Sequence, residues 1–371
     1  MIYLDYNATT PIDPEVAKAM MPFITDSFGN SSSTHEYGVK AKIALDAARA
    51  SVATLIGANP EENLFTSGGS EANNTVLKGI AHTLNAKGKH IIISQIEHPA
   101  IQEPCKYLEK NGFRITRVPV GSDGIVSVQD VEKTFTDDTI LVSVMHANNE
   151  TGSIQPIAEI GAMCRQRGIL FHTDASQSVG KIPVNVRNMN VDFLTIAGHK
   201  LYAPKGIGAL YIRSGFVIEP FIHGAGQESG RRAGTENIIF DVALGKACEL
   251  ARDLTNMQRI RNLTDRLYAG IGEIFGERVK LNGHPTLRLP NTLFISFFGY
   301  TLGELQAALG DTAVSTGSAC HSHSAALSPV LQAMGTATDR PFTAIRFSLG
   351  RFTTELEVDT VLKRLSSISH S

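Results

Sequence analysis

The sequence predicts an α/β protein: a large domain with a mainly parallel sheet, plus a smaller C-terminal α/β domain. Two observations carry this. Between about residues 50 and 215, short Val/Ile/Leu-rich runs alternate with segments of helical period, the pattern of a sheet covered by helices on both faces. From about residue 236 the chain turns helical and charged, and a second, shorter strand–helix alternation closes it.

HIIISQ (90–95), FRITRVPV (113–120), TILVSVMHAN (139–148), GILFHTDAS (168–176), DFLTIAG (192–198) and GALYIR (208–213) read as strands. Their apolar residues run on instead of alternating, as strands buried on both faces require. PAIQEPCKYLEKNG (99–112) and IAEIGAMCRQRG (157–168) read as amphipathic helices closed by glycine, a C-cap signal. Right-handed crossovers between such elements place ligands at the carboxyl ends of the strands. The stretch 236–275 is expected as one long helix. NTLFISF (291–297) and AIRFSLG (344–350) read as strands, LGELQAAL (302–309) and ELEVDTVLKRLSSI (355–368) as helices. Residues 15–255 are assigned to the large domain, and 1–14 with 256–371 to the small one. The N-terminal dozen residues are expected to return to the small domain or to cover the cleft.

A chain of 371 residues exceeds what one core usually supports, which fits two units. A net charge of −2 gives no basic field to draw the protein to nucleic acid or an anionic membrane. No stretch is apolar enough to span a bilayer, and MIYLDYNATTP has no cationic or apolar leader segment. Cys105, Cys164, Cys248 and Cys320 are far apart with no CxxC pair, so free thiols and a cytoplasmic location are expected. The first three fall on helical segments and read as packing residues.

Three constellations carry chemistry. In FTSGGSEANN (65–74), Gly68 and Gly69 let the backbone approach a ligand, and Ser70 with Glu71 opens a helix whose N–H groups can cup a phosphate. Alone, that stretch is also an ordinary glycine turn with a serine cap, and no dinucleotide or mononucleotide fingerprint accompanies it. In HTDASQSVGK (172–181), Asp174 ends a buried strand, either as a helix cap or as a partner for a cationic ligand atom. In LTIAGHKLYAPKGIGALYIR (194–213), Lys200 follows a strand end directly and is a candidate imine-forming lysine. A phosphate cup, an Asp and a Lys at the strand ends of one sheet are what pyridoxal 5′-phosphate requires. In STGSACHSHS, Cys320 stands beside His321 and His323. That spacing suits a tetrahedral metal site poorly, so no metal is expected.

These segments, together with LDYNATTP, FGNSSSTHEYG, EHPAI, HANNETG, RRAGTEN and IRFSLGRFTT, resemble the cysteine desulfurases. Those are pyridoxal-phosphate enzymes of fold type I with the class V aminotransferase pattern, and the likeness runs from residue 2 to about 355. The resemblance implies that Lys200 carries the cofactor and acts as general base, that Asp174 partners the pyridine nitrogen, and that Gln177 bonds the phenolate oxygen. It implies further that His98 stacks on the ring as a catalytic residue and that Gly69, Ser70 and His199 hold the phosphate. Thr235 would reach the phosphate from the other subunit of a homodimer. Asn149, which also borders the cofactor, and Arg346 would bind the substrate carboxylate, and Cys320 would take sulfur from L-cysteine as a persulfide, leaving alanine. A sulfur-acceptor protein, such as an iron–sulfur scaffold, follows as a partner. The CHS form at Cys320 and Ala197 in place of a hydroxyl residue are similar instead to selenocysteine lyases, which act on L-selenocysteine. A non-catalytic member of the fold is the remaining alternative.

Overall fold

The computed structural model describes residues 1–316, 327–336 and 341–368. A short strand β1 (Ile2–Tyr3) precedes helices α1 (Pro14–Thr25) and α2 (Glu36–Ile56). The chain then runs β2 (Asn63–Thr66), α3 (Gly69–Thr83), β3 (His90–Ser94), α4 (Pro99–Lys110), β4 (Arg114–Val118) and α5 (Val128–Lys133). It continues through β5 (Thr139–Ser143), α6 (Ile157–Arg167), β6 (Leu170–Asp174), β7 (Phe193–Ala197) and β8 (Gly208–Ile212). Helices α7 (Ile238–Ala251) and α8 (Thr255–Phe275) lead to β9 (Val279–Leu281), β10 (Thr292–Phe298) and α9 (Leu302–Leu309). Last come β11 (Thr312–Ala313), β12 (Ser315–Thr316), α10 (Pro329–Ala333), β13 (Phe342–Ser348) and α11 (Glu355–Ser366).

A seven-stranded sheet, in the order β2-β8-β7-β6-β5-β3-β4, forms the centre of the larger part. Strands β3 to β7 pair in parallel, whereas β8 is antiparallel to both of its neighbours. The link between β7 and β8 is too short for a crossover helix, so the chain turns back on itself. Every residue of β3, β5, β6, β7 and β8 is buried, which accounts for their unbroken apolar runs. One face packs Val142, Phe171 and Leu194 against α2, α6 and α7. The other packs Ile91, Leu141 and Phe193 against α3 and α4. Burying such side chains contributes about 1.5–3 kcal/mol each.

The stretch expected as one helix is two. Asp253 Oδ1 accepts the Thr255 N–H at 2.9 Å, and this local bond replaces a helical one. The C-terminal sheet, β12-β13-β10-β9, is antiparallel throughout. Its core joins Leu293, Phe297 and Phe347 to Leu263 and Leu267 of α8, Val361 of α11, and Ile2 and Leu4 from the N-terminus. β1 pairs in parallel with β11, and Asp5 bridges to Ser348. The N-terminal residues thus pack into the C-terminal core and then run on to the strand ends of the large sheet.

Candidate active site

The functional side chains stand where parallel strands end. Behind β2, Gly68 adopts φ 143° and opens α3, a conformation that L side chains rarely reach. A Cβ on Gly208 of the adjoining strand would lie 2.7 Å from Gly68 Cα, so glycine is needed there for the close approach. Gly69 and Ser70 follow with the free N–H groups of the first helical turn. Glu71, in the same turn, accepts from Ser67 N–H at 2.8 Å and pairs with Arg232 at 3.0 Å. Burial alone would raise its pKa, but those partners hold it below the usual value. Arg232 offsets the negative charge of that ionised carboxylate, so the turn keeps its attraction for an anion. His199 borders the same spot. Burial, then Lys200 and Lys205, lowers its pKa to about 4, so its ring is neutral.

Asp174 is the last residue of β6 and almost fully buried. Its Oδ2 accepts from Asn73 Nδ2 at 2.8 Å and its Oδ1 from Ser176 N–H at 2.9 Å. Two neutral donors orient the carboxylate without cancelling its charge. Lys200 closes a single 3₁₀ turn, Gly198–Lys200, behind β7, and its Nζ donates to the carbonyls of Asn7 and Ala8. Burial, reinforced by Arg346, lowers its pKa to about 8, while Asp5 and Asp174 act the other way. His98 caps α4, with Nδ1 accepting Ala100 N–H at 3.1 Å. Desolvation lowers its pKa. With Nδ1 accepting, the ring proton sits on Nε2.

Arg346 on β13 donates through Nη1 to the Asn149 carbonyl at 2.9 Å and through Nη2 to Asp5 Oδ1 and Ser315 Oγ, both at 2.8 Å. Its buried Nε has no partner among the described residues. Gly69, Ser70, His98, Asn149, Asp174, Gln177, His199, Lys200 and Arg346 line one cavity of about 380 Å³. Thr235 lines a separate one, with Glu228, Arg232 and Asp241. Cys320, His321 and His323 lie outside the described residues.

The aminotransferase class-V family model matches residues 2–361. The chain belongs to the aminotransferase class-V family. It is 48% identical over 370 residues to the cysteine desulfurase IscS of Cronobacter sakazakii, covering 98% of this chain and 91% of that protein. The solved structure of a NifS-like protein superimposes with a TM-score of 0.92 at 38% identity, covering 99% and 98% of the two chains. SspA in complex with cysteine superimposes with a TM-score of 0.85 at 36% identity, covering 95% of this chain and 100% of that one.

Pyridoxal phosphate, the cofactor of such class V enzymes, fits this donor set. One end of the cavity offers helix N–H groups and neutral His199, the floor offers the Asp174 carboxylate, and Lys200 supplies an amine of depressed pKa. Ala197 lines the same cavity without a hydroxyl. Several participants were not singled out from the sequence. Asn7, Asn73 and Asp5 sit inside motifs quoted for other residues, and Asn7 and Asp5 reach the cavity or Arg346 from the far end of the chain. Alternation and helix signals carry no information on such long-range contacts.

Among the described residues, no group of His, Cys, Asp and Glu is placed to hold a metal, and no helix is long and apolar enough to cross a membrane. Cys105, Cys164 and Cys248 are buried in the core, and burial pushes the Cys105 and Cys248 thiols up to about 12. None of these three is a ready nucleophile.

Proposed function

We propose that this chain is a pyridoxal-phosphate-dependent cysteine desulfurase that converts L-cysteine to L-alanine and keeps the sulfur as a persulfide on Cys320. The observation that carries the reading is the convergence of Lys200, Asp174 and Arg346 on one cavity. An amine, a pyridinium partner and a carboxylate-binding guanidinium are what an amino-acid reaction on this cofactor needs. Bound there, pyridoxal phosphate supplies the electron sink that makes the substrate's Cα proton acidic and its C–S bond cleavable.

The residues divide the remaining work. The N-terminus of α3, with Ser70 and His199, holds the phosphate. Asp174 would keep a proton on the pyridine nitrogen, and His98, which lines the same cavity, would pack against the ring. Arg346 holds the substrate carboxylate in a charge-assisted bond, aided by Asn149. Lys200, with its depressed pKa, is in the base form for a useful fraction of the time near neutral pH and moves the proton at Cα. Cys320 attacks the substrate sulfur as thiolate: an S–S bond forms as the C–S bond breaks, and the carbon skeleton takes up a proton to leave as alanine.

The described flanks of the Cys320 stretch support that role. Ser315 bonds Arg346 and Asp5 on one side, and Ser328 donates to Glu150 on the other. The chain therefore enters and leaves 317–326 beside the carboxylate-binding residues. The reading extends to a cytoplasmic homodimer in which Thr235 completes the partner's phosphate site, and to a sulfur-acceptor protein in iron–sulfur or thiolation pathways. Residues 15–255 then form the cofactor domain, and 1–14 with 256–371 the domain carrying Cys320.

Loading the purified protein with pyridoxal phosphate and adding L-cysteine tests the proposal. Equimolar alanine and protein-bound sulfur are expected. Rapid alanine from L-selenocysteine with negligible alanine from cysteine would replace it with selenocysteine lyase activity.

A further inference from the structure

Lys181 is the one lysine of the HTDASQSVGK segment, and it points into the protein. Its side chain is buried, although it stands in the loop behind β6. The preceding Gly180 adopts φ 74°, and a Cβ there would lie 2.4 Å from Leu201 Cδ2. Only glycine lets the chain pass this closely, and the close passage turns the next residue inward.

The Lys181 Nζ donates to Gln177 Oε1 at 2.8 Å and to Asn7 Oδ1 at 3.1 Å. Gln177 Nε2 in turn donates to the Asn7 carbonyl at 3.0 Å, the same oxygen that receives Lys200 Nζ. Lys181 Nζ donates to Oε1, while the Asn7 carbonyl, which can only accept, takes Nε2. The two contacts together decide which way round the Gln177 amide lies. One Nε2 hydrogen is spent on Asn7, and the second is left for the cavity that Gln177 lines.

We propose that Lys181 is a positioning residue that locks Gln177 as a hydrogen-bond donor toward the cofactor's phenolate oxygen. The inference rests on the cofactor reading given above. Without Lys181 the Oε1 end loses its donor, and only the Nε2 bond to the Asn7 carbonyl still resists a half-turn that would face the amide carbonyl toward an anionic oxygen. The charged groups that act on Lys181 are Lys200 and Arg346, both cations. With burial as the larger cause, they lower its pKa well below the ordinary value. Removing Lys181 therefore also removes a neighbour of Lys200 that repels its positive form, and the experiment has to separate the two effects.

The test is a pH titration of the visible absorption of the cofactor-loaded protein, in wild type, Lys181→Met, Gln177→Leu and the double variant. Loss of a donor to the phenolate raises its proton affinity, so Lys181→Met is expected to move the midpoint up by about one unit, a tenfold change in affinity for the proton. Gln177→Leu is expected to move it in the same direction, and the double variant should match Gln177→Leu alone. An unmoved midpoint in Lys181→Met overturns the proposal, and so do additive shifts, which would mean that Lys181 acts on Lys200 directly. A packing role alone would lower the melting temperature without moving the midpoint, which also overturns it. If Lys181→Met does not fold, neutron diffraction of the loaded wild type reads the amide directly. Gln177 Nε2 toward the cofactor oxygen supports the lock, and Oε1 there contradicts it. A wild-type protein that never acquires the visible band overturns the cofactor reading, and this proposal with it.

Discussion

Arg346 Nη2 lies 2.8 Å from Asp5 Oδ1, which joins the last strand of the C-terminal sheet to the first residues of the chain. The guanidinium is nearly buried and already neutralised in part by Asp5. It is held in place by three acceptors, while its Nε has no partner among the described residues. A substrate carboxylate that meets this group meets a rigid fork and not a flexible point charge.

Arg346→Lys should therefore fail as a conservative change. Lysine keeps the charge but cannot satisfy Asp5, Ser315 and Asn149 while also gripping a carboxylate. KM for L-cysteine is expected to rise by at least about tenfold with a smaller fall in kcat, the pattern of a lost binding contact. Steady-state kinetics with L-cysteine read both. An unchanged KM would remove Arg346 from substrate binding.

Asp174→Asn preserves size and one acceptor for Ser176 N–H, yet it removes the negative charge proposed to partner the pyridine nitrogen. Turnover is expected to fall by about a hundredfold or more, in line with the loss of a single preorganised electrostatic partner. Circular dichroism and the melting temperature should stay close to wild type, because Asn73 can turn its amide so that its Oδ1, unpartnered among the described residues, accepts from the new Nδ2.

Cofactor capture should depend on pH through Lys200, whose pKa is about 8. Only the neutral amine attacks a carbonyl, so the loading rate of cofactor-free protein should rise by about tenfold per pH unit below that value and level off above it. Arg346→Gln should move the break upward, because Arg346 helps to lower the Lys200 pKa. The stability of cofactor-free protein follows the same group. Between about 8 and the ordinary lysine value of 10.5, the unfolded chain binds a proton that folded Lys200 has released. Stability from this group therefore increases as pH rises through that window. Stopped-flow loading and urea titrations at several pH values check both statements.

Arg49 and Glu228 form a two-pronged pair, with both N···O distances 2.7 Å and both side chains largely buried. Glu228 has φ 49° and also accepts Phe65 N–H at 3.2 Å, tying β2 to the loop before Thr235. Arg49→Met leaves a buried carboxylate without its cation and is expected to destabilise the protein by about 3–5 kcal/mol. Urea unfolding measures this. A loss below about 1 kcal/mol would mean that the pair behaves as an exposed one.

Much of the site was legible in the sequence because it is written locally. Gly68–Gly69 before a helix, Asp174 at the end of HTD and Lys200 after a strand each sit within a few residues of a strand end, and a parallel sheet brings strand ends together. The break at 252–254 was not legible, since helical periodicity continues across it while the Asp253 side chain takes the Thr255 N–H and the flanking backbone shifts to three-residue bonds. Asp5, Asn7 and Asn73 were missed for a different reason. Each acts through a contact more than a hundred residues away in sequence, which no periodic pattern records. Nothing in the sequence marks Lys181 as buried, because its inward turn depends on Gly180 packing against Leu201.

The most direct measurement is peptide mass mapping of Cys320 after a single addition of L-cysteine to the loaded protein, with alanine counted in the same sample. The account predicts one added sulfur atom on the Cys320 peptide and one alanine per sulfur. Alanine formed while Cys320 stays unmodified, with sulfur absent from that peptide at every time point, would contradict it.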